Sequence, residues 1–110
     1  MRRTRQRPTY SLEEAKALVR DGKSSLTRRA RSHLKNEGWT DIGEVTTGVF
    51  ESMEDSDFYK SDELDFMPGT YADIYRGTPF DGDEWYVKFY IEQGVARVQV
   101  LSLTEDGTLH

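Results

Sequence analysis

The sequence predicts an α+β protein in which N-terminal helices pack on a C-terminal antiparallel β-sheet. Apolar residues recur at helical spacing as far as Phe50, and from Phe58 onward they alternate with polar residues. The turn signals follow the same division, because Asp-Gly and single glycines close the helical segments whereas Gln93-Gly94 lies between two alternating runs. At 110 residues the chain is long enough for one domain with a single buried core.

Three helices are expected in the first half of the chain. The first begins at Ser11, because "SLEE" provides an N-cap serine with a glutamate three residues later, and it ends at Asp21-Gly22. A second helix is predicted over residues 25–36, closed by Gly38, and a third over residues 41–50.

The second half predicts antiparallel strands. The runs "EWYVKFYIE" (84–92) and "VARVQVLSL" (95–103) alternate on either side of Gln93-Gly94, which predicts a hairpin with a two-residue turn. A further turn at 81–83, "DGD", joins this hairpin to a strand around residues 71–76.

Alternation divides the hairpin into two faces. One face is apolar and is expected in the core; it consists of Trp85, Val87, Phe89 and Ile91. A two-residue turn would place Tyr90 opposite Arg97 and Lys88 opposite Gln99. The open face would then collect Tyr86, Lys88, Tyr90, Arg97 and Gln99.

Such a face has two interpretations. It is an ordinary solvated side of a half-buried sheet, or it is a nucleic-acid surface with cations for phosphates and aromatic rings for unstacked bases. The second interpretation is compatible with RNA cleavage without a metal. That reaction needs a base for the ribose 2′-hydroxyl, an acid for the leaving oxygen and fixed positive charge, and lysine and tyrosine can fill these roles when neighbouring charges shift their pKa values.

Charge is distributed unevenly along the chain. Residues 1–35 hold eleven cations against three acids, a balance of +8, and the remainder has a balance of -13. Residues 1–10 form a basic arm that we expect to be flexible or loosely docked, followed by one domain over 11–110. The basic third is suited to phosphates, and the alternative is that the two parts neutralise each other within one fold. Lys60 is the single cation among eleven carboxylates between Lys35 and Arg76.

Several classes of site are disfavoured by the residues. The chain has no cysteine, no apolar signal region at its start and no apolar run near the roughly 20 residues that cross a bilayer, so we expect a soluble cytoplasmic protein with no membrane partner. The run "EDSDFYKSDELD" carries Lys60 where a calcium loop needs glycine, which favours a solvated acidic loop. His33 lies among arginines and His110 is the last residue, so a paired-histidine nuclease is not indicated. We therefore expect neither a metal nor a cofactor.

Four motifs together resemble a known family. The segments "SDFYKS", "YADIYR", "WYVKFYI" and "ARVQVLSL" are similar to those of the MqsR (motility quorum-sensing regulator) toxins of bacterial type II toxin–antitoxin systems. Members of that family read close to "SDFYKS", "WQDVYR" and "VYLKI" at nearly the same spacings. The resemblance covers about residues 8–103, and "SDFYKS" with a downstream "D-[IV]-Y-R" is its most specific part.

The resemblance implies a RelE-like ribonuclease fold, cleavage of messenger RNA without metal, and inhibition by a cognate antitoxin. It also implies that Lys60 and Tyr86 are the catalytic residues and that Arg76 belongs to the site. In a ribonuclease, Arg76 would bind phosphate together with Lys88 of the open face. Ala72 departs from the pattern, because the family has a glutamine at this position. This departure supports an alternative, in which the chain is a weakened or inactive member that binds RNA or protein.

Overall fold

The chain folds as three helices against one face of a six-stranded sheet, which confirms the α+β prediction. The computed structural model describes residues 3–106. Its elements are β1 (Thr4–Arg5), α1 (Leu12–Arg20), β2 (Ser24–Leu26), α2 (Arg28–Asn36), α3 (Ile42–Ser52), β3 (Phe58–Leu64), β4 (Met67–Phe80), β5 (Asp83–Glu92) and β6 (Arg97–Glu105). Within that range no helix is long and apolar enough to cross a membrane.

The strands lie in the order β1-β3-β4-β5-β6-β2. Neighbouring strands are antiparallel except β2, which runs parallel to β6, so the sheet is mixed rather than wholly antiparallel. The predicted second helix included part of β2, but Thr27 is the N-cap of α2 and accepts the backbone N–H of Ala30 at 3.2 Å. An N-cap residue has an extended backbone. The helix therefore begins at Arg28, and the residues before it pair with β6.

The loop between β5 and β6 has four residues, 93–96, instead of the predicted two. Glu92 pairs with Arg97, and the backbone N–H of Ala96 donates to the Glu92 carbonyl at 3.0 Å. Gly94 and Ala96 both adopt positive φ, 84° and 53°. Left-handed backbone at a non-glycine residue is uncommon, so the sequence favours the shorter turn.

The cross-strand pairs predicted from the two-residue turn are wrong. Tyr90 lies opposite Gln99 rather than Arg97, and Lys88 lies opposite Ser102 rather than Gln99, with a β-bulge in β6 between the two pairs. The partner of Tyr90 is shifted by two residues, and the partner of Lys88 by three because of the bulge. Arg97 and Gln99 lie before the bulge, where the even shift keeps them on the open face. The open face therefore keeps its predicted members, in a different order.

The acidic run that we expected to be a loop is mostly strand. A single 3-10 turn covers Asp55–Asp57, and β3 follows directly over Phe58–Leu64. Lys60 therefore lies on a strand inside the sheet.

The described part of the basic arm is docked on the sheet. Thr4–Arg5 pair with β3 as an edge strand. The backbone N–H groups of Thr9 and Tyr10 donate to the carboxylate of Asp73, which is fully buried, at 3.0–3.1 Å. Composition alone predicts a flexible arm. The acceptor that docks it lies more than sixty residues away in the sequence, so the arm's own residues do not indicate it.

The core fills the space between the helices and the inner face of the sheet. The four side chains of β5 that were predicted to be buried, Trp85, Val87, Phe89 and Ile91, all lie in it. The helices contribute apolar residues from their inner sides, including Ala15, Leu34 and Phe50. The outer face of the central strands carries mainly polar side chains, together with the buried Ala72 and Ile74 of β4.

Candidate active site

A row of side chains crosses the three central strands on the open face. Lys60 of β3 lies opposite Ile74 of β4, and Ile74 lies opposite Lys88 of β5. Adjacent strands are about 4.8 Å apart, so the two lysines leave the sheet about 10 Å from each other. Side chains of this length can reach a single phosphate from both sides.

A β-bulge at Tyr59 puts two consecutive residues of β3 on this face. The register with β4 shifts between Phe58 and Lys60, so Tyr59 is the extra residue. Its ring is 49% exposed and lies 5.4 Å from the Lys60 ammonium and 5.3 Å from the Arg76 guanidinium carbon, measured to the ring centroid. Bulges commonly re-aim side chains beside active sites. Here the bulge creates an exposed aromatic surface between two cations.

A second irregularity places Arg76 beside Tyr86. The register of β4 and β5 shifts at this point, so that Arg76 and Gly77 both lie opposite Tyr86. Gly77 has φ of 74°, a conformation that favours glycine. Asp106 accepts hydrogen bonds from the Arg76 guanidinium at 3.3 Å and from the backbone N–H of Gly77 at 3.0 Å. The arginine is therefore held in place by the residue that follows β6.

Asp62 orients Lys60. Its carboxylate lies 3.2 Å from the Lys60 ammonium and accepts a 2.7 Å hydrogen bond from the hydroxyl of Thr4 in β1. Burial acts to raise the pKa of Asp62, but the hydrogen bonds from Thr4 and Lys60 and the charge of Lys88 outweigh it, and the pKa is lowered. The docked arm thus takes part in fixing the lysine. Sequence reasoning missed Asp62, although its position two residues after Lys60 in a strand puts both on one face.

Tyr86 is held in its protonated form. Burial raises the pKa of Tyr86 above its ordinary value, the negative charge of Asp62 raises it further, and Arg76 acts in the opposite direction. A phenol with a raised pKa stays protonated at neutral pH and can donate a hydrogen bond or a proton.

The remaining predicted residues lie toward the other end of the sheet. Arg97 donates to the backbone carbonyl of Ser24 in β2 at 3.3 Å, and Gln99 donates to the Glu92 carboxylate at 2.8 Å. Burial, together with Glu92, raises the pKa of Tyr90, which lies opposite Gln99. The open face therefore divides in two. We call the first group, Lys60, Arg76, Tyr86 and Lys88, the lysine–tyrosine cluster, and Tyr90, Arg97 and Gln99 form a separate group.

Ala72 lies on the same face as the lysine–tyrosine cluster. It pairs with Asp62 across β3 and β4 and is fully buried. The neighbouring side chains close over the position, so the short side chain does not leave an open gap at the surface.

Among the residues that the structure describes, one group has the composition of a metal site. Potential ligand atoms of His33, Glu37 and Glu105 lie within 4.8 Å of one another. His33 and Glu105 contact each other at 3.3 Å, which accounts for the proximity of these two side chains.

These observations define a class: a small α+β protein with helices on one face of its sheet and a cluster of cations and a protonated tyrosine on the other. A family model described as motility quorum-sensing regulator, toxin of MqsA, matches residues 7–105. The chain therefore belongs to this family of toxins from toxin–antitoxin systems, which confirms the resemblance inferred from the four motifs. A search of curated proteins found no matching relative.

Proposed function

We propose that the chain is an endoribonuclease toxin that cleaves messenger RNA in the cytoplasm without a metal and is neutralised by a cognate antitoxin. The observation that carries the proposal is the lysine–tyrosine cluster. Three cations that can bind phosphate and a proton donor meet on one open face, next to an exposed aromatic ring. Family membership supports the same function, because its members are toxins.

The reaction has three parts, and the site assists the last two of them. The 2′-oxygen attacks the adjacent phosphorus, negative charge grows on the non-bridging oxygens, and the 5′-oxygen leaves with a proton. Fixed cations stabilise the charge, and a positioned acid protonates the leaving group.

Lys60 and Arg76 bind the phosphate that is cleaved. Each is held by a carboxylate, Asp62 and Asp106 respectively, so neither has to be ordered when the substrate arrives. Preorganised charge of this kind stabilises the transition state more than flexible charge does. Lys88 approaches the same phosphate from the strand on the other side of Ile74.

Tyr86 protonates the leaving 5′-oxygen. Its raised pKa keeps the proton available at neutral pH, and Arg76 beside it directs the phosphate toward the hydroxyl. The proton of the 2′-hydroxyl leaves to solvent, because Tyr86 is itself protonated and both oxygens of Asp62 are engaged by Thr4 and Lys60.

The test compares new RNA 5′ ends after incubation with the wild type and with Lys60→Ala. The matched control is Lys23→Ala, an exposed lysine that precedes β2 at the opposite edge of the sheet. We expect cleavage by the wild type and by Lys23→Ala, and a loss of about 100-fold or more in Lys60→Ala, since general acid–base and charge stabilisation each contribute factors of this size. Equal cleavage by all three proteins would contradict the role of Lys60, and expression of the wild type without growth arrest would contradict the toxin activity.

Ala72 favours a second candidate function. A buried alanine where the family has glutamine removes an amide from the face, which favours a chain that has retained RNA or protein binding and lost cleavage. In that case RNA binds without new 5′ ends, and Tyr86→Phe leaves the binding unchanged.

A further inference from the structure

A groove opens directly beside Tyr86, between α2 and the last part of β6. Strand β2 pairs only with Val98–Val100, so beyond this point the edge of β6 is bordered by α2 instead of a strand. Thr27 anchors the start of the helix through its N–H to the Val100 carbonyl at 3.1 Å, and His33 anchors it to Glu105 at 3.3 Å. Contacts between α2 and β6 therefore fix both ends of the groove.

The groove has the size and lining of a nucleotide site. Its volume is about 310 Å³, at the lower end of the range for small-ligand pockets. It has apolar, hydroxyl and cationic sections, and it is lined by Arg29, Ala30, His33, Tyr86, Leu101, Ser102 and Thr104. Tyr86 lies opposite Thr104 in the sheet, so the groove shares a wall with the lysine–tyrosine cluster.

Two features of the lining point to an absent ligand. The hydroxyl oxygen of Thr104 is buried and has no hydrogen-bond partner within residues 3–106, which is costly unless a bound group satisfies it. Arg29 is exposed and forms no ion pair with another described residue. A hydroxyl without a partner and a cation without a counter-charge are suited to a ligand that has both hydrogen-bonding edges and a phosphate.

We propose that this groove binds the nucleotide next to the cleaved phosphate, which makes α2 part of the RNA-binding surface. Arg29 binds the phosphate of that nucleotide, Thr104 and Ser102 bond to its base or sugar, and the base packs on Leu101 and Ala30. The inference rests on the proposed ribonuclease function and adds a subsite to it. The outer side of α2 extends the positive surface, because Arg28–Asn36 contains four arginines and lysines and no acidic residue.

The test measures binding of a short, fluorescently labelled 2′-O-methyl oligoribonucleotide by anisotropy at several salt concentrations. This probe cannot be cleaved, because its 2′-oxygens are blocked. The variants are Arg29→Ala, Thr104→Val and the matched control Arg31→Ala, an exposed arginine about 200° around the same helix from Arg29. Both arginines are exposed, so their removal leaves the core unchanged.

We expect Arg29→Ala to weaken binding about tenfold and to reduce the salt slope by about 0.7, the value for one lost phosphate contact on a single strand. Thr104→Val should weaken binding about threefold without changing the slope, since it removes one neutral hydrogen bond. Arg31→Ala should stay within about twofold of the wild type, because it contributes only to the general field.

The outcomes separate the subsite from the catalytic proposal. If Arg29→Ala and Arg31→Ala have the same affinity and slope, the groove is not the subsite, even when the wild type cleaves RNA. The affinity for the probe could depend on Arg29 and Thr104 as expected while the wild type produces no new 5′ ends from natural RNA. That result would support the groove as an RNA-binding site and contradict the ribonuclease function.

Discussion

The buried carboxylate of Asp73 joins the N-terminal arm to the sheet, and its substitution should cost a large part of the stability of the protein. It accepts the backbone N–H groups of Thr9 and Tyr10 at 3.0–3.1 Å. Each hydrogen bond to a charged group contributes about 1.5–3 kcal/mol, so Asp73→Ala should lower the free energy of unfolding by about 3–6 kcal/mol. Asp73→Asn keeps one acceptor oxygen and should lower it by about half as much.

Urea unfolding followed by tryptophan fluorescence gives the loss directly. With a slope of about 1–3 kcal/mol per molar urea, Asp73→Asn should lower the midpoint by about 0.5–3 M. Asp83→Asn is the matched control, because Asp83 is exposed at the start of β5. Hydrogen exchange of the Thr9 and Tyr10 amides locates the effect, since both should lose protection in Asp73→Asn. The reasoning is refuted if the midpoint equals that of Asp83→Asn while these amides stay protected.

Three further predictions concern single residues. Because the pKa of Tyr86 is raised above its ordinary value, kcat/KM for RNA cleavage should show no descending limb below the ordinary tyrosine pKa of about 10, and a fall at lower pH would contradict its role as the acid. Burial, with the charge of Asp73, raises the pKa of Tyr10 to about 12. Protonated Tyr10 therefore stabilises the folded state fully below about pH 10, and this stabilisation is lost as the pH rises toward 12. Tyr10→Phe should make urea midpoints less dependent on pH in that window, and an unchanged dependence would show that Tyr10 is not responsible. Ala72→Gln should lower the free energy of unfolding by about 1–3 kcal/mol, because the position is fully buried; a midpoint equal to the wild type would show that the amide finds space on the open face.

The sequence predicted the elements well where local chemistry determines them. Ser11 caps α1 by accepting the N–H of Glu14 at 3.1 Å, and the alternation of β5 assigned its buried face correctly. The errors arose where a distant contact decides the outcome. Ser25 could begin a helix as well as Thr27 by its residue type, and only the pairing of β2 with β6 favours the second. The length of the β5–β6 loop was mispredicted for the same reason. Ala96 adopts a left-handed backbone, which alanine does not favour by itself.

The sequence names candidate residues for the site but does not predict how they are arranged. The motifs identified Lys60, Arg76 and Tyr86, and alternation put Tyr86 on the open face. What brings Arg76 beside Tyr86 is a register shift, and what brings Tyr59 onto the face is a bulge. A period-two pattern cannot express an extra residue in one strand. The sequence did not indicate that α2 lines the groove beside Tyr86, because only the topology places that helix along the edge of β6.

Three of the carboxylates in the acidic part of the chain have hydrogen-bond partners within the fold. Asp62, Asp73 and Asp106 each accept hydrogen bonds from the arm, from Lys60 or from the Arg76–Gly77 bulge. Those acids are therefore engaged by hydrogen bonds and ion pairs with neighbouring groups of the protein. On the basic side, Arg20 pairs with Glu51, but the arginines of α2 form no ion pair with a described residue. The two parts of the chain thus do not simply neutralise each other, and an acidic protein can present a local positive surface beside Tyr86. Since unpaired surface charges act over about one Debye length, near 8 Å at physiological salt, this surface is best placed to attract RNA at the groove itself.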